Sequence, residues 1–127
     1  MTNKELADLL IPDVDSNIDY YENLYKPRNT EGIVTRFAPS PTGFVHMGSL
    51  LASFIENKAA KDTNGIFYLR IEDTDQKREV ENGVQGIIDD LNYFNIEIDE
   101  GVISETEEKG EYGPYTKSKR KNIYRTY

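Results

Sequence analysis

The sequence predicts an α/β fold built on a parallel sheet, and three observations carry that prediction. A β-branched and aromatic run at residues 33–37 leads into a loop with two prolines and a glycine, then into apolar residues at helical spacing over 49–61. A second run, residues 66–71, holds too many apolar residues for a half-exposed strand and suits one covered on both faces. Strand, helix and strand at this spacing form a right-handed βαβ unit. Two or three strands alone leave sheet edges and apolar faces uncovered, so the sequence reads as the first half of a doubly wound domain, truncated.

The remaining elements follow in order. Thr2 and Glu5 have the spacing of a capping box, which predicts a short helix carrying Leu6, Leu9 and Leu10 and ending at Pro12. Residues 13–31 are polar and Asn-rich, with Tyr20, Tyr21, Leu24 and Tyr25 clustered as if to pack on a surface and Pro27 punctuating the run. Residues 1–31 therefore read as an N-terminal extension and residues 32–127 as the core. In the helix over 49–61, Leu50, Leu51, Phe54, Ile55 and Ala59 share helical spacing, and Lys58 and Lys61 complement the dipole at its end. Asp62-Thr63-Asn64-Gly65 reads as a turn. Val80, Val84, Ile87, Ile88, Leu91 and Phe94 then recur at three and four, predicting a second helix from about Arg78 to Phe94. A short strand is expected at 95–99, an acidic loop at 103–110 and the start of a helix from Ser118.

Composition bounds the function classes. With 127 residues and 37% hydrophobic content, one domain with a modest core is expected. There is no cysteine, which excludes disulfides and thiolate metal sites, so no zinc is predicted and a cytoplasmic location is the simpler expectation. No run approaches the ~20 apolar residues that span a bilayer, and no secretory leader is legible, so no membrane partner is expected. The net charge of -8 is unevenly spread: Lys117–Tyr127 holds five of the 15 basic residues and no acidic one. An acidic body of this kind argues against a non-specific nucleic-acid coat. It leaves room for a tRNA held by a few positioned residues or by further domains.

The loop after the first strand is the candidate site, because open α/β sheets bind ligands at the carboxyl ends of parallel strands. Pro39 and Pro41 stiffen it, Gly43 permits an unusual dihedral, and Gly48 lets a ligand approach the main chain where the helix begins. The free N–H groups and dipole of that helix favour a phosphate, and His46, the only histidine, sits just ahead of them. A lone histidine beside a glycine is structural more often than functional, and a Pro-rich turn is an ordinary connection. The conjunction of Arg36, small polar residues, two prolines and His46-Met47-Gly48-Ser49 in one loop outweighs those readings.

Arg36-Phe37-Ala38-Pro39-Ser40-Pro41-Thr42-Gly43 with His46-Met47-Gly48-Ser49 resembles the first signature of the bacterial-type glutamate-tRNA ligases, members of the class I aminoacyl-tRNA synthetases. Arg70-Ile71-Glu72-Asp73-Thr74-Asp75 and Gly113-Pro114-Tyr115 with Ser118, Arg120 and Tyr124 resemble two further blocks, so the likeness runs from about Ile33 to Tyr124. It implies a Rossmann-like, HUP-type nucleotide-binding domain whose first half lies here. It also implies ATP as substrate with Mg2+ accompanying it, glutamate and tRNA(Glu) as partners of the full-length protein, and a monomeric full-length enzyme. By the same likeness Arg36 binds a carboxylate of glutamate, Ala38 and Ser40 line that pocket, and Glu72 receives the α-ammonium. His46, Gly48 and Ser49 hold ATP, with His46 as the catalytic donor.

Three departures from the family pattern matter. Ser49 stands where many relatives have a second histidine, Lys117 stands where they usually have glutamine and receives no role, and no Lys-Met-Ser-Lys-Ser loop occurs in the chain. Ser118-Lys119-Arg120-Lys121 reads instead as a solvated basic helix face. Asp73 and Asp75 suit helix caps as well as substrate contacts, and Arg70 and Arg78 are expected to pair with them. Glutaminyl and archaeal or eukaryotic glutamyl enzymes carry Pro-Pro-Glu-Pro where this chain has Ala38-Pro39-Ser40-Pro41, and the relatives that modify queuosine carry zinc-binding cysteines. Nucleotidylyltransferases, a distant alternative, share a His-x-Gly-His box and a βα phosphate loop but lack the Arg-Phe-Ala-Pro-Ser-Pro and Arg-Ile-Glu-Asp-Thr-Asp blocks. From another class, a non-catalytic interaction module of the same fold is the alternative, and residues 1–127 alone are expected to be inactive.

Overall fold

A computed structural model describes residues 1–14 and 17–127; Asp15 and Ser16, within the polar run noted above, lie outside the described residues. Its elements are α1 (Asn3–Leu10), α2 (Ile18–Leu24), β1 (Val34–Phe37), α3 (Met47–Asp62), β2 (Ile66–Leu69), α4 (Gly83–Tyr93), β3 (Glu100–Val102), β4 (Glu108–Lys109) and α5 (Lys121–Thr126). The sheet order is β1-β2-β3-β4, with the first three strands parallel and β4 antiparallel. The expected βαβ unit is present, with α3 crossing from β1 to β2.

Phe37, Phe67, Leu69 and Ile71 point to one sheet face, where they meet Ala60 of α3 and Ile87, Ile88 and Leu91 of α4 in the buried core. Period 2 in the strands and 3.6 in the helices converge on that cluster. Thr35 shares the face and donates its hydroxyl to the carbonyl of Glu56 in α3 at 2.8 Å. β3 approaches β2 so closely that a Cβ on Gly101, at φ 108°, would fall 2.0 Å from the Leu69 carbonyl oxygen. Only glycine fits there.

Several boundaries differ from those expected. The helix predicted from Arg78 starts at Gly83, after a single 3-10 turn at Gln76–Arg78. The reason is tertiary: Val80 N–H donates to the Pro41 carbonyl at 3.0 Å, and Asn82 adopts φ 57°, so this segment grips the βα loop instead of joining the helix. The strand expected at 95–99 lies at Glu100–Val102, because Asn95 takes φ 56° and ends α4 while Asp99 caps β2 by accepting from Phe67 N–H at 2.8 Å. The acidic loop at 103–110 contains β4.

The capping box at Thr2 and Glu5 forms with both of its hydrogen bonds, yet α1 buries none of its residues. The tyrosine cluster instead forms α2 and an anchor. Tyr21 is buried against Tyr25 and Tyr127, Tyr25 donates its hydroxyl to the Gly113 carbonyl at 2.5 Å, and Tyr112 donates to the Lys26 carbonyl at 2.7 Å. Arg28 lies 4.0 Å from the Tyr112 ring and pairs with Glu100 at 2.5 Å. Burial disfavours the Arg28 charge, but the Glu100 carboxylate outweighs it and raises the guanidinium pKa. Residues 18–28 thus strap the extension onto the segment that carries Gly113-Pro114-Tyr115.

Candidate functional site

The β1–α3 loop leaves the sheet at the carboxyl ends of β1 and β2. Gly43 takes φ 144°, as the sequence suggested. α4 holds the loop from below: Asp90 accepts from Val45 N–H at 3.4 Å, and Gly83 sits so near Pro41 that a Cβ would lie 2.7 Å from the proline carbonyl oxygen. A rigid platform of this kind keeps small loop groups in fixed positions.

β1 and β2 pair with Arg36 opposite Tyr68 and Phe37 opposite Leu69. The ladder continues past the strands, since Arg70 N–H donates to the Phe37 carbonyl and Glu72 N–H to the Pro39 carbonyl, each at 2.9 Å. With period 2, Arg36, Ala38 and Ser40 therefore share one sheet face with Tyr68, Arg70 and Glu72, opposite the α3 face. All four residues expected to bind glutamate lie on that face. Arg36 is exposed and makes no ion pair among the described residues. Its charge reaches Glu56, whose carboxyl burial pushes upward and Arg36 only partly restores.

His46, Gly48 and Ser49 lie at the other end of the loop. His46 is the N-cap residue of the 16-residue α3 and makes no side-chain capping bond, and no acidic residue occupies the first helical turn. The first N–H groups of α3 therefore keep their partial positive charge available. A Cβ built on Gly48 meets nothing within 4 Å. A cavity of about 170 Å³ opens here, bordered by Ser40, Thr42, Gly43, His46 and Ser49. Ser40 thus belongs both to this cavity and to the sheet face of Arg36 and Glu72, whereas His46, Gly48 and Ser49 belong to the helix end. A recess of about 220 Å³ nearby carries Asp73, Glu79 and Glu105 against Lys119, a balance unsuited to a polyanion.

Glu72 is occupied on both oxygens: Oε1 by Arg70 Nη2 at 2.9 Å and Oε2 by Lys117 Nζ at 2.6 Å. Burial alone would raise its pKa, but the Lys117 hydrogen bond and the Arg70 and Lys117 charges outweigh burial and hold it below the usual carboxylate range. A lowered folded-state pKa means that the stabilisation is complete above the unfolded value and is lost as pH falls through the folded one. The stability difference between wild type and Glu72→Gln, read from urea midpoints, is therefore expected to be largest near neutral pH and to shrink below about pH 4. A difference that grows on acidification would contradict this linkage.

Arg70 was expected to pair with Asp73 or Asp75, and the structure corrects this. Residues 70 and 72 project to the same face, so Arg70 reaches Glu72, while Arg78 does pair with Asp75 at 2.6 Å. Asp73 caps no α-helix: it accepts from Ser118 N–H at 2.8 Å and from the Ser118 hydroxyl. Asp75 precedes the 3-10 turn without a side-chain capping bond. The basic stretch from Ser118 is only partly a solvated face, since Arg120 donates to the carbonyls of Tyr112 at 3.2 Å and Pro114 at 2.7 Å. Lys117, given no role from sequence, is the residue the reading missed. Its partner is 45 positions away in sequence, beyond the reach of any periodicity.

No helix is long and apolar enough to cross a membrane among the described residues. Residues 32–127 match the family described as tRNA synthetases class I (E and Q), catalytic domain. Over 129 aligned residues the chain is 47% identical to a glutamate-tRNA ligase of Clostridium perfringens, covering all of this chain and 24% of that protein. It is 48% identical to the glutamate-tRNA ligase of Acetivibrio thermocellus, covering 99% of this chain and 23% of the relative. A solved glutamate tRNA ligase from Elizabethkingia meningosepticum, in complex with its amino acid, superposes with a TM-score of 0.65 at 39% identity, covering 74% of this chain and 18% of that one. The chain thus spans about a quarter of the length of the curated relatives it matches. With the parallel-sheet fold in place and residues 32–127 matched, the chain belongs to the class I tRNA synthetases for glutamate and glutamine, within their catalytic domain.

Proposed function

We propose that these residues form the amino-acid-binding and phosphate-binding half of a site that activates glutamate with ATP and transfers it to the 3′ end of tRNA. The observation that carries the reading is the shared sheet face of Arg36, Ala38, Ser40 and Glu72 beside the uncapped N-terminus of α3. In the first step an α-carboxylate oxygen of glutamate attacks the α-phosphorus of ATP, and the bond to the bridging oxygen breaks as pyrophosphate leaves. In the second, a hydroxyl of the tRNA 3′ ribose attacks the carbonyl carbon and AMP leaves. Two anions must meet in the first step, so positioning and charge stabilisation do most of the work and no protein nucleophile is needed.

Arg36 is free to meet a carboxylate with a planar fork, Ala38 and Ser40 line the pocket, and Glu72 faces the α-ammonium. His46 donates to a phosphate oxygen, and Gly48 and Ser49 offer main-chain N–H groups and a hydroxyl. Mg2+ would accompany the nucleotide phosphates, neutralising part of their charge. Residues 1–127 carry no Lys-Met-Ser-Lys-Ser loop, and on this reading they do not turn over alone.

Gly48→Ala tests the reading with little interference from folding. The added methyl meets open space in the protein, and alanine is favoured over glycine within a helix by about 1 kcal/mol. Thermal stability is therefore expected to hold or rise, while ATP affinity measured by calorimetry on the intact protein falls about 10-fold, as one close main-chain contact is obstructed. Unchanged ATP affinity in a stable Gly48→Ala protein would place the nucleotide elsewhere.

A further inference from the structure

The pocket face is unevenly prepared. Among the described residues Arg36 has no ion-pair partner, but the carboxylate of Glu72 is already engaged by two cations. A primary ammonium approaching Glu72 Oε2 meets the Nζ of Lys117, itself a primary ammonium, at 2.6 Å from that oxygen. We propose that Lys117 is a resident competitor of the amino-acid substrate: its ammonium occupies the position of the α-ammonium on Glu72 in the empty pocket and is displaced when glutamate binds. The proposal rests on the reading of Glu72 given above.

The structure distinguishes which of the two cations yields. Arg70 is the fixed one: its side chain is 18% exposed, its Nε is buried, and its guanidinium borders a recess shared with Tyr68, Tyr112, Tyr115 and Arg120. Lys117 is 37% exposed and is a point charge on a flexible four-carbon stem, so it loses least by turning to water. Its main chain meanwhile stays put, since Lys117 N–H donates to the Ile71 carbonyl at 2.9 Å and Thr116 bridges Ile71. The segment is held further by the Asp73–Ser118 contacts on one side and by the Arg120 contacts to the Tyr112 and Pro114 carbonyls on the other. Tethered there, Lys117 remains within reach of Glu72 whenever the pocket empties. A competitor of this kind keeps a half-buried carboxylate paired between turnovers, at the expense of amino-acid affinity.

The test is a calorimetric glutamate titration of the intact protein as wild type, Lys117→Gln, Lys117→Arg and Glu72→Gln, at one ionic strength. Removing the competing ion pair is expected to tighten glutamate about 3- to 30-fold in Lys117→Gln, between the strength of an exposed pair and that of a buried charged hydrogen bond. Lys117→Arg restores a cation and is expected to bind no tighter than wild type. A purely structural role for Lys117 would loosen the pocket and weaken binding, the opposite sign. Equal or weaker glutamate binding in Lys117→Gln, with binding still reduced in Glu72→Gln, overturns the competitor while leaving the pocket assignment intact. Wild-type affinity in Glu72→Gln overturns the pocket assignment and the competitor with it.

Discussion

His46→Ala is expected to lower ATP–pyrophosphate exchange by about 10- to 1,000-fold, measured on the intact protein with glutamate and tRNA present. The expectation follows from where charge develops. On the proposed reading, negative charge spreads over the oxygens of the α-phosphorus as it is attacked, and an imidazole N–H at the entrance of α3 would stabilise that charge more than it stabilises bound ATP. The residue is exposed and makes no side-chain capping bond, so its removal should leave the fold intact. The change should appear mainly in the exchange rate, with ATP affinity altered less. Exchange at the wild-type rate would remove His46 from the mechanism and leave the α3 N-terminus and Ser49 to carry the phosphate.

Glu72→Gln is expected to weaken glutamate binding by about 10- to 100-fold, the value of one hydrogen bond to a charged group. The substitution keeps the shape of the side chain and its distance from Arg70, and removes the charge that the substrate ammonium would meet. Two effects oppose each other, because the variant also frees Lys117. The lost attraction to the ammonium is made at close range in a half-buried position, whereas Lys117 is the more exposed partner, so the net change is a loss. ATP affinity should not change. Equal losses for both ligands would indicate a collapsed site instead of a missing contact.

Much of the fold was legible because it is local. Residues 33–71 announce strand, stiff loop, helix and strand through β-branched runs, prolines and 3.6-residue periodicity, and the structure has β1, α3 and β2 within two residues of the expected limits. The N-terminal capping box was equally plain because it is written within four residues. What was not legible depends on partners distant in sequence. α2 forms where a polar, Asn-rich run was read, since Tyr21 and Tyr25 find Tyr127, Tyr112 and Gly113 far along the chain, 88 residues on in the case of Gly113. The periodic pattern from Val80 was real, but its first turn was diverted to hold the Pro41 carbonyl.

The candidate site divides in the same way. Arg36, Ala38, Ser40 and Glu72 were grouped by the family resemblance, and the strand register then puts them on one face. The Glu72–Lys117 pair and the Asp73–Ser118 contacts required knowledge of how the segment after β4 returns to β2, which no spacing encodes. The clue was present only as a departure, a lysine where relatives usually have glutamine.

On the proposed reading, one stiff loop joins a carboxylate clamp to a phosphate-binding helix terminus, with separate residues serving each ligand. Paired calorimetric titrations of glutamate and ATP on the intact Arg36→Ala protein test it most directly. Arg36 is exposed and has no ion-pair partner among the described residues, so its removal should spare the fold. The account predicts that glutamate affinity falls by at least about 10-fold while ATP affinity holds. Glutamate binding at wild-type strength in Arg36→Ala would contradict it.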